Sequence, residues 1–457
     1  MQKTLFISAL CAISLSSCLL GPDFEGAKAE LPATWVNKMP PATTEQNLSE
    51  WWAAFNDKQL SALIETAFAN NPDMINAALA IAQAEAELRS VESGLWPSGS
   101  LSAGGNNGGN FNTSTSHGKF NGGLSASWRP DVWGSTRRQI EASMASLGSS
   151  KAAANATRAA LASSVATAYF EWISAKESLR IAKEQLEFQE RTYNIVKKRV
   201  EAGFSHNLDL EQARVTIIST RAQIPAHEAT IKSCENSLAI LLGTTVDQVK
   251  LSMPSEATYN RIPRVPTGLP SELLRRRPDI IMAEHNLHRA TANVGIAVAD
   301  LFPSLSLSGS TSASSGSDFA HFFSSAGWSL VGSVSHTIFN RTSLNEKVNI
   351  AELAQSSAGQ SYRKTVLSAF AEVEECLISY ARLMSQLPQY EASAQANKKA
   401  AELSMKQFEV GTSDFLNVAA AERAWLSAEL NIISTRQQIR MSLARLCTAL
   451  GGGWEKK

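Results

Sequence analysis

The chain has 457 residues, with 42 basic side chains against 42 acidic ones, and 44% of it is apolar but only 7% aromatic. Zero net charge excludes a protein that holds nucleic acid by neutralising phosphates, which takes a basic surface. An apolar share spent on alanine and other small residues excludes one thick globular core and suits long helices packed in a thin layer.

Residues 1–17 read as a signal peptide, with Lys3 as its positive start and a short apolar stretch from Leu5 to Leu15. That stretch is too short to span a bilayer, and no other reaches the ~18 consecutive apolar residues of a membrane helix. It runs into Leu15-Ser16-Ser17-Cys18, which resembles a bacterial lipobox, so Cys18 is the expected lipidation site. An ordinary signal peptide with a chance cysteine is the alternative. By the rule for such lipoproteins, Leu19 in place of an aspartate points to the outer membrane. Of the other cysteines, Cys11 leaves with the signal. Cys234, Cys376 and Cys447 are scattered through helical patterns and form neither a disulfide framework nor a zinc site. They are expected to be small buried apolar residues.

Residues 18–59 form an N-terminal arm with scattered prolines and the pair Trp51-Trp52, expected to be extended. A helical pattern starts at Leu60. At Asn70-Asn71-Pro72-Asp73 a new helix begins, with Asn71 as cap, Pro72 at the first position and Asp73 complementing the dipole. Trp96-Pro97 ends it, and the period changes to two. Leu101, Ala103 and Gly105 alternate with Ser100, Ser102 and Gly104; Leu124, Ala126 and Trp128 alternate with Ser125 and Ser127. One apolar face, one small polar face and a Gly/Asn-rich tip describe a β-hairpin over about 98–131. Its strands have the length that crosses a bilayer when tilted.

A long helix follows, free of Gly and Pro from Ser149 to Ala202, or about 80 Å at 1.5 Å per residue. Val165, Trp172, Leu179, Leu186, Tyr193 and Val200 recur every seven residues, the period of helices that coil round neighbours. Gly203 makes a turn, and a return helix runs to Gly243.

After a proline-rich linker over 244–269, the same unit is written again over 270–451, before a tail at 452–457. Pro72 and Pro97 fall on Pro278 and Pro303 at an offset of 206, and Gly203-x4-Leu208-Asp209 falls on Gly411-x4-Leu416-Asn417 at 208. The second hairpin, about 304–338, sets Leu305, Leu307, Trp328, Leu330 and Val334 against Ser304, Ser306, Ser329, Ser333 and Ser335. Its long helix carries Val366, Val373, Tyr380, Leu387, Ala394, Ala401 and Phe408 every seven residues, with Pro388 expected to kink it. The seams superpose at 208, which supports a duplication over 60–243 and 270–451. Four strands cannot cross a membrane alone, because unpaired edge groups in hydrocarbon cost several kcal/mol each. If the hairpins insert, several chains share one barrel, and the helices form a matching tube below.

Cys18-x2-Gly21-Pro22-Asp23-Phe24, Trp51-Trp52-x2-Phe55-x-Asp57, Asn71-Pro72-Asp73, Arg276-Arg277-Pro278-Asp279, Leu301-Phe302-Pro303 and Leu241-Leu242-Gly243 together resemble the TolC-like outer-membrane efflux lipoproteins of the NodT/OprM type. The resemblance spans Cys18 to Gly451. It implies a mainly α fold with membrane β: a homotrimer with a twelve-strand outer-membrane β-barrel and a periplasmic α-barrel of long coiled-coil helices. It also implies docking to a periplasmic adapter and an inner-membrane pump, here of RND or ABC type, with lipid at the outer membrane; no cofactor is expected from the residues.

The resemblance assigns adapter docking and pore closure to the two helix turns, here Gly203, Phe204 and Ser205 with Gly411 and Thr412. As plain helix caps the two glycines need no such role. In the family pattern an aspartate after the first turn bonds a tyrosine and an arginine at the second. Asp209 matches the aspartate, but Phe408 and Ser413 stand in the other two places. Two aspartates that ring the pore fall on Asn417 and Ala420, leaving Asp414 and Glu409 as nearby carboxylates. The implied polar lock therefore lacks its partners.

No catalytic constellation appears, so the chain is not expected to be an enzyme. His285 and His288, one turn apart beside Glu284, are accounted for by a polar helix face, and Arg275 to Arg277 by salt bridging. The expected function is a passive efflux duct for drugs or other small molecules. A type I protein-secretion duct keeps the same fold, and a poreless coiled-coil lipoprotein explains the heptads but not the hairpins.

Overall fold

The computed structural model describes residues 19–27, 32–37, 48–110, 115–263, 270–315, 325–339 and 341–454. The signal segment and Cys18 lie outside these residues, as do the tip of the first hairpin and residues 264–269 of the linker. The long helices are α1 (Lys58–Asn70), α2 (Pro72–Glu92), α3 (Ser135–Glu201), α4 (Asn207–Leu242), α5 (Pro278–Ala299), α6 (Arg341–Val410) and α7 (Phe415–Ala449). Among the described residues no helix is long and apolar enough to cross a membrane. The chain divides into two compact units.

The first unit gathers residues 19–27, Leu79–Ala152 and Ile281–Thr365. It holds β1 (Ser98–Asn110), β2 (Thr115–Trp128), β3 (Ser304–Ser315) and β4 (Gly327–Ser335) in one antiparallel sheet, ordered β1-β2-β3-β4. The expected alternation is the observed register. Leu101 pairs with Leu124, Leu124 with Thr311 and Thr311 with Trp328, so these side chains share a face with Trp128, Leu307 and Leu330. Serine is the commonest residue on the other face, and toward the hairpin tip glycine and asparagine replace it. Ser98 bonds Ser127 at 2.9 Å, and Ser100–Ser125 and Ser310–Ser329 are each 2.8 Å apart. The apolar face is bare, with Leu101 78% and Trp328 81% exposed. Among the described residues β1 and β4 each have one unpaired edge.

The arm is clamped in the same unit. Arg138, 1% exposed, donates to Leu20 O, Gly21 O, Asp23 and Glu141. Gly21, at φ +85, lies so close to Gly295 that a Cβ would sit 2.4 Å from its Cα. Phe24 stacks on the ring of His288 at 4.4 Å, and His288 Nε2 lies 2.9 Å from Glu141. α3 begins at Ser135, ahead of the stretch free of Gly and Pro, and passes through Gly148. A Cβ on Gly148 would stand 2.5 Å from the ring of His285, so the glycine there admits a side chain instead of breaking the helix.

The second unit holds the rest. The Trp pair is not extended, contrary to expectation. Leu48–Phe55 form 3-10 turns that bury Trp51, Trp52 and Phe55, because three large aromatics recover more by burial than an extended arm would. Asp57 caps α1, and Tyr169 donates to the other oxygen of Asp57 at 2.9 Å. Asn71 caps α2 as expected, accepting from Asp73 N at 2.7 Å, while its amide donates to Leu241 O at 2.9 Å. In the second copy the equivalent of Asn71 is Arg277, which donates to Ala449 O at 2.7 Å, the equivalent of Leu241. The duplication thus preserves a cross-link through different chemistry. Arg277 also pairs with Asp279 and Glu372, and Arg276 with Glu272. Cys234 and Cys447 are buried, while Cys376 is only partly so.

The heptad seams behave differently. All seven seam residues of α6, Val366 to Phe408, are buried. On α3, Val165 and Trp172 are buried but Leu179, Leu186, Tyr193 and Val200 are only half-buried. Below Trp172 the buried stripe moves to Ala182, Gln185, Gln189, Thr192 and Val196. A helix of 3.6 residues per turn drifts about 20° per heptad from a strict sevenfold stripe, which carries the seam onto neighbouring positions. Three of those positions are polar.

Candidate functional site

Both interhelical turns are built alike. In the first, Gly203 at φ +77 donates to Val200 O, and Phe204 N donates back to Arg199 O. In the second, Gly411 at φ +86 donates to Phe408 O, and Thr412 N to Gln407 O. These are Schellman caps, and the left-handed backbone requires glycine at both. Thr412 adds a bond from its hydroxyl to Gln407 O at 3.1 Å.

The turns close over a small apolar core. Phe408 and Phe415 meet edge to face at 6.0 Å, packed with Val196, Ala213, Met405, Val418 and Ala419. Around this core the surface is apolar and bare, with Phe204 74%, Leu208 65%, Val410 80% and Leu416 59% exposed. A groove of about 590 Å³ adjoins it, lined by residues that include Gln185, Gln189, Leu208, Leu416 and Arg423.

The candidate polar residues bond locally. Asp209 accepts from His206 N at 3.2 Å and so caps its own helix. Asn417 donates to Ser413 Oγ at 3.2 Å. Asp414 is the exposed N-cap residue of α7, without a side-chain capping bond.

A residue outside the family pattern joins the turns. Arg199 Nη1 donates to Glu409 O at 2.7 Å, across the two turns. Its other nitrogens reach Phe204 O and Ser205 Oγ, each at 3.4 Å, and its guanidinium lies over the Phe408 ring at 4.9 Å. One planar fork thus serves both turns and stacks on the aromatic that replaces the expected tyrosine. The sequence signal was slight: an arginine four residues before a capping glycine, in a place to reach terminal carbonyls.

One turn above the core sits Glu422, 1% exposed. Its Oε1 is 3.1 Å from Thr192 Oγ1 on α3. Burial pushes its carboxyl up to about 7, and the Thr192 contact offsets only part of that. Trp425 meets Phe188 edge to face at 5.8 Å, so aromatic and apolar contacts bracket the acid along the seam. The signal for Glu422 was its spacing: Phe415, Val418 and Glu422 stand at i, i+3 and i+7, which places a carboxylate on the buried stripe.

The model of the outer membrane efflux protein family matches residues 63–244 and 269–452 of this chain. The chain is 31% identical over 471 residues to the antibiotic efflux pump outer membrane protein ArpC of Pseudomonas putida, covering 99% of this chain and 96% of ArpC. It is 32% identical to the cation efflux system protein CusC of Escherichia coli O6:H1 over 461 residues, covering 97% of this chain and 98% of CusC. Among solved structures, the open state of the Neisseria gonorrhoeae MtrE outer membrane channel superposes with a TM-score of 0.85 at 28% identity, covering 96% of this chain and 99% of that one. A sheet with one apolar and one serine face, paired long helices closed by glycine turns, and these matches along nearly the whole sequence place the chain in the outer membrane efflux protein family.

Proposed function

We propose that this chain is the passive outer-membrane exit duct of a tripartite efflux system. Three copies share one barrel, four strands from each, with the serine face toward the lumen and the apolar face toward lipid. The observation that carries this reading is the open four-stranded sheet, with unpaired edges on β1 and β4 beside a bare apolar face. Such edges are untenable in hydrocarbon unless a neighbouring copy pairs them. Helices of 67 and 70 residues reach about 100 Å, enough to carry a duct deep into the periplasm.

The glycine-turn end is the duct's inner mouth in this reading. Its apolar side chains and the adjoining groove receive a periplasmic adapter, and an inner-membrane pump of RND or ABC type supplies the energy. The chain itself performs no catalysis. That ArpC and CusC are named for antibiotic and cation efflux favours small solutes over secreted proteins as the cargo. Chemical crosslinking of the purified protein in mild detergent is expected to give a ladder that stops at three. A sample that stays monomeric at every crosslinker dose overturns the shared barrel.

A further inference from the structure

Thr192 Oγ1 has two oxygens within reach: Phe188 O at 3.0 Å, one turn back on its own helix, and Glu422 Oε1 at 3.1 Å. A hydroxyl carries one proton, so it donates to only one of them. Both contacts are hydrogen bonds only if Glu422 brings a proton of its own and donates to Thr192. An ionised Glu422 would instead sit buried with a single donor, which is costly. Among the described residues no cation relieves it. Of the charged groups on the surrounding helices, Arg191 of α3 lies over Phe188 at 5.9 Å, and Glu190 pairs with Arg221 of α4 at 2.9 Å. Glu211 of α4 pairs with Arg214, Glu402 of α6 is exposed, and Lys398 of α6 lies over Trp425 at 5.6 Å. Arg423, next to Glu422 on α7, donates to Ala419 O at 3.1 Å. The same stretch of seam holds two further buried polar atoms without partners among the described residues, Gln185 Nε2 and Gln189 Oε1. It is a polar layer poised to take up water.

We infer that Glu422 is held as a neutral acid between α3 and α7 and works as a proton-operated latch, tight while it keeps its proton and loosened when it loses it. The latch lies one turn above the Phe408–Phe415 core, so loosening it frees the turns. Its bearing on transport rests on the reading of this end as the inner mouth of the duct.

The sign follows from linkage. The carboxyl titrates near 7 in the fold against 4.5 when solvated, so the folded seam binds the proton more tightly. Its stabilisation is complete below about 4.5, falls between about 4.5 and 7, and is gone above 7. Hydrogen exchange of the full-length protein, corrected for intrinsic rates, reads this over residues 185–200 and 415–430. Between pH 5 and 7 the wild type is expected to open roughly tenfold more per pH unit, then level off. Glu422→Gln, neutral at every pH, is expected to be flat. Thr192→Val takes away the oxygen that accepts the acid's proton, so the extra protection of the seam at pH 5 is expected to fall toward the wild type's level at pH 8. A flat wild type, or a Glu422→Gln slope equal to the wild type's, overturns the latch. Single-channel recordings separate the two readings. Exchange that follows Glu422 while closed-level noise is the same at pH 5 and pH 8 detaches the latch from the duct. A wild type without any conductance contradicts the duct and leaves the exchange result standing.

Discussion

Phe408→Ala is expected to destabilise the helix-turn end by about 3–5 kcal/mol, the range for emptying a buried aromatic site. Phe408 is 2% exposed, meets Phe415 edge to face and carries Arg199 over its ring. Its loss leaves a cavity among Val196, Met405 and Val418, and strips the guanidinium of its stacking partner while the bond to Glu409 O remains. Asp209→Ala is expected to cost on the order of 1 kcal/mol, because that carboxylate only caps its own helix through His206 N. In bilayer recordings Phe408→Ala should raise conductance or make it noisy, and Asp209→Ala should barely change it. The opposite ranking would mean that Asp209 engages a polar partner in the assembled channel.

A second large effect is expected in the sheet. Leu124 and Ser125 are neighbours on β2 that point to opposite faces. Leu124 shares the apolar face with Leu101, while Ser125 bonds Ser100 at 2.8 Å on the serine face. Leu124→Arg is expected to cost about 2–4 kcal/mol of insertion stability and to lower the yield of membrane-embedded protein. Ser125→Arg should insert normally but reduce conductance and shift ion selectivity toward anions, because a fixed cation would then line the lumen. Equal insertion defects in both variants would show that the faces are not divided between lipid and lumen.

The strands were legible in the sequence because, away from the hairpin tips, serine alternates with leucine, alanine, glycine or tryptophan, and period two points to strands. The duplication was legible as well, although the Asn71 and Arg277 cross-links it produces were not, since equivalent positions there use different donors. Gly148 stands inside a helix for a reason the sequence does not carry. The ring of His285, distant in sequence, is what makes glycine fit there. The lower seam of α3 was placed one position off, for a strict sevenfold count ignores the drift of a 3.6-residue helix. Arg199 escaped notice because its main partner, Glu409 O, is 210 residues away. Glu422 escaped because a carboxylate on an apolar stripe gains its meaning only once Thr192 is seen to offer a single proton to two acceptors.

In the proposed duct the strands of one chain are part of a pore completed by other copies. This is tested most directly by planar-bilayer recordings on the crosslinked trimer and the monomer, separated from one preparation. Stable, step-like ionic conductance is expected from the trimer and none from the monomer, whose four-stranded sheet has two open edges. Equal conductance from the monomer, or a silent trimer, would contradict it.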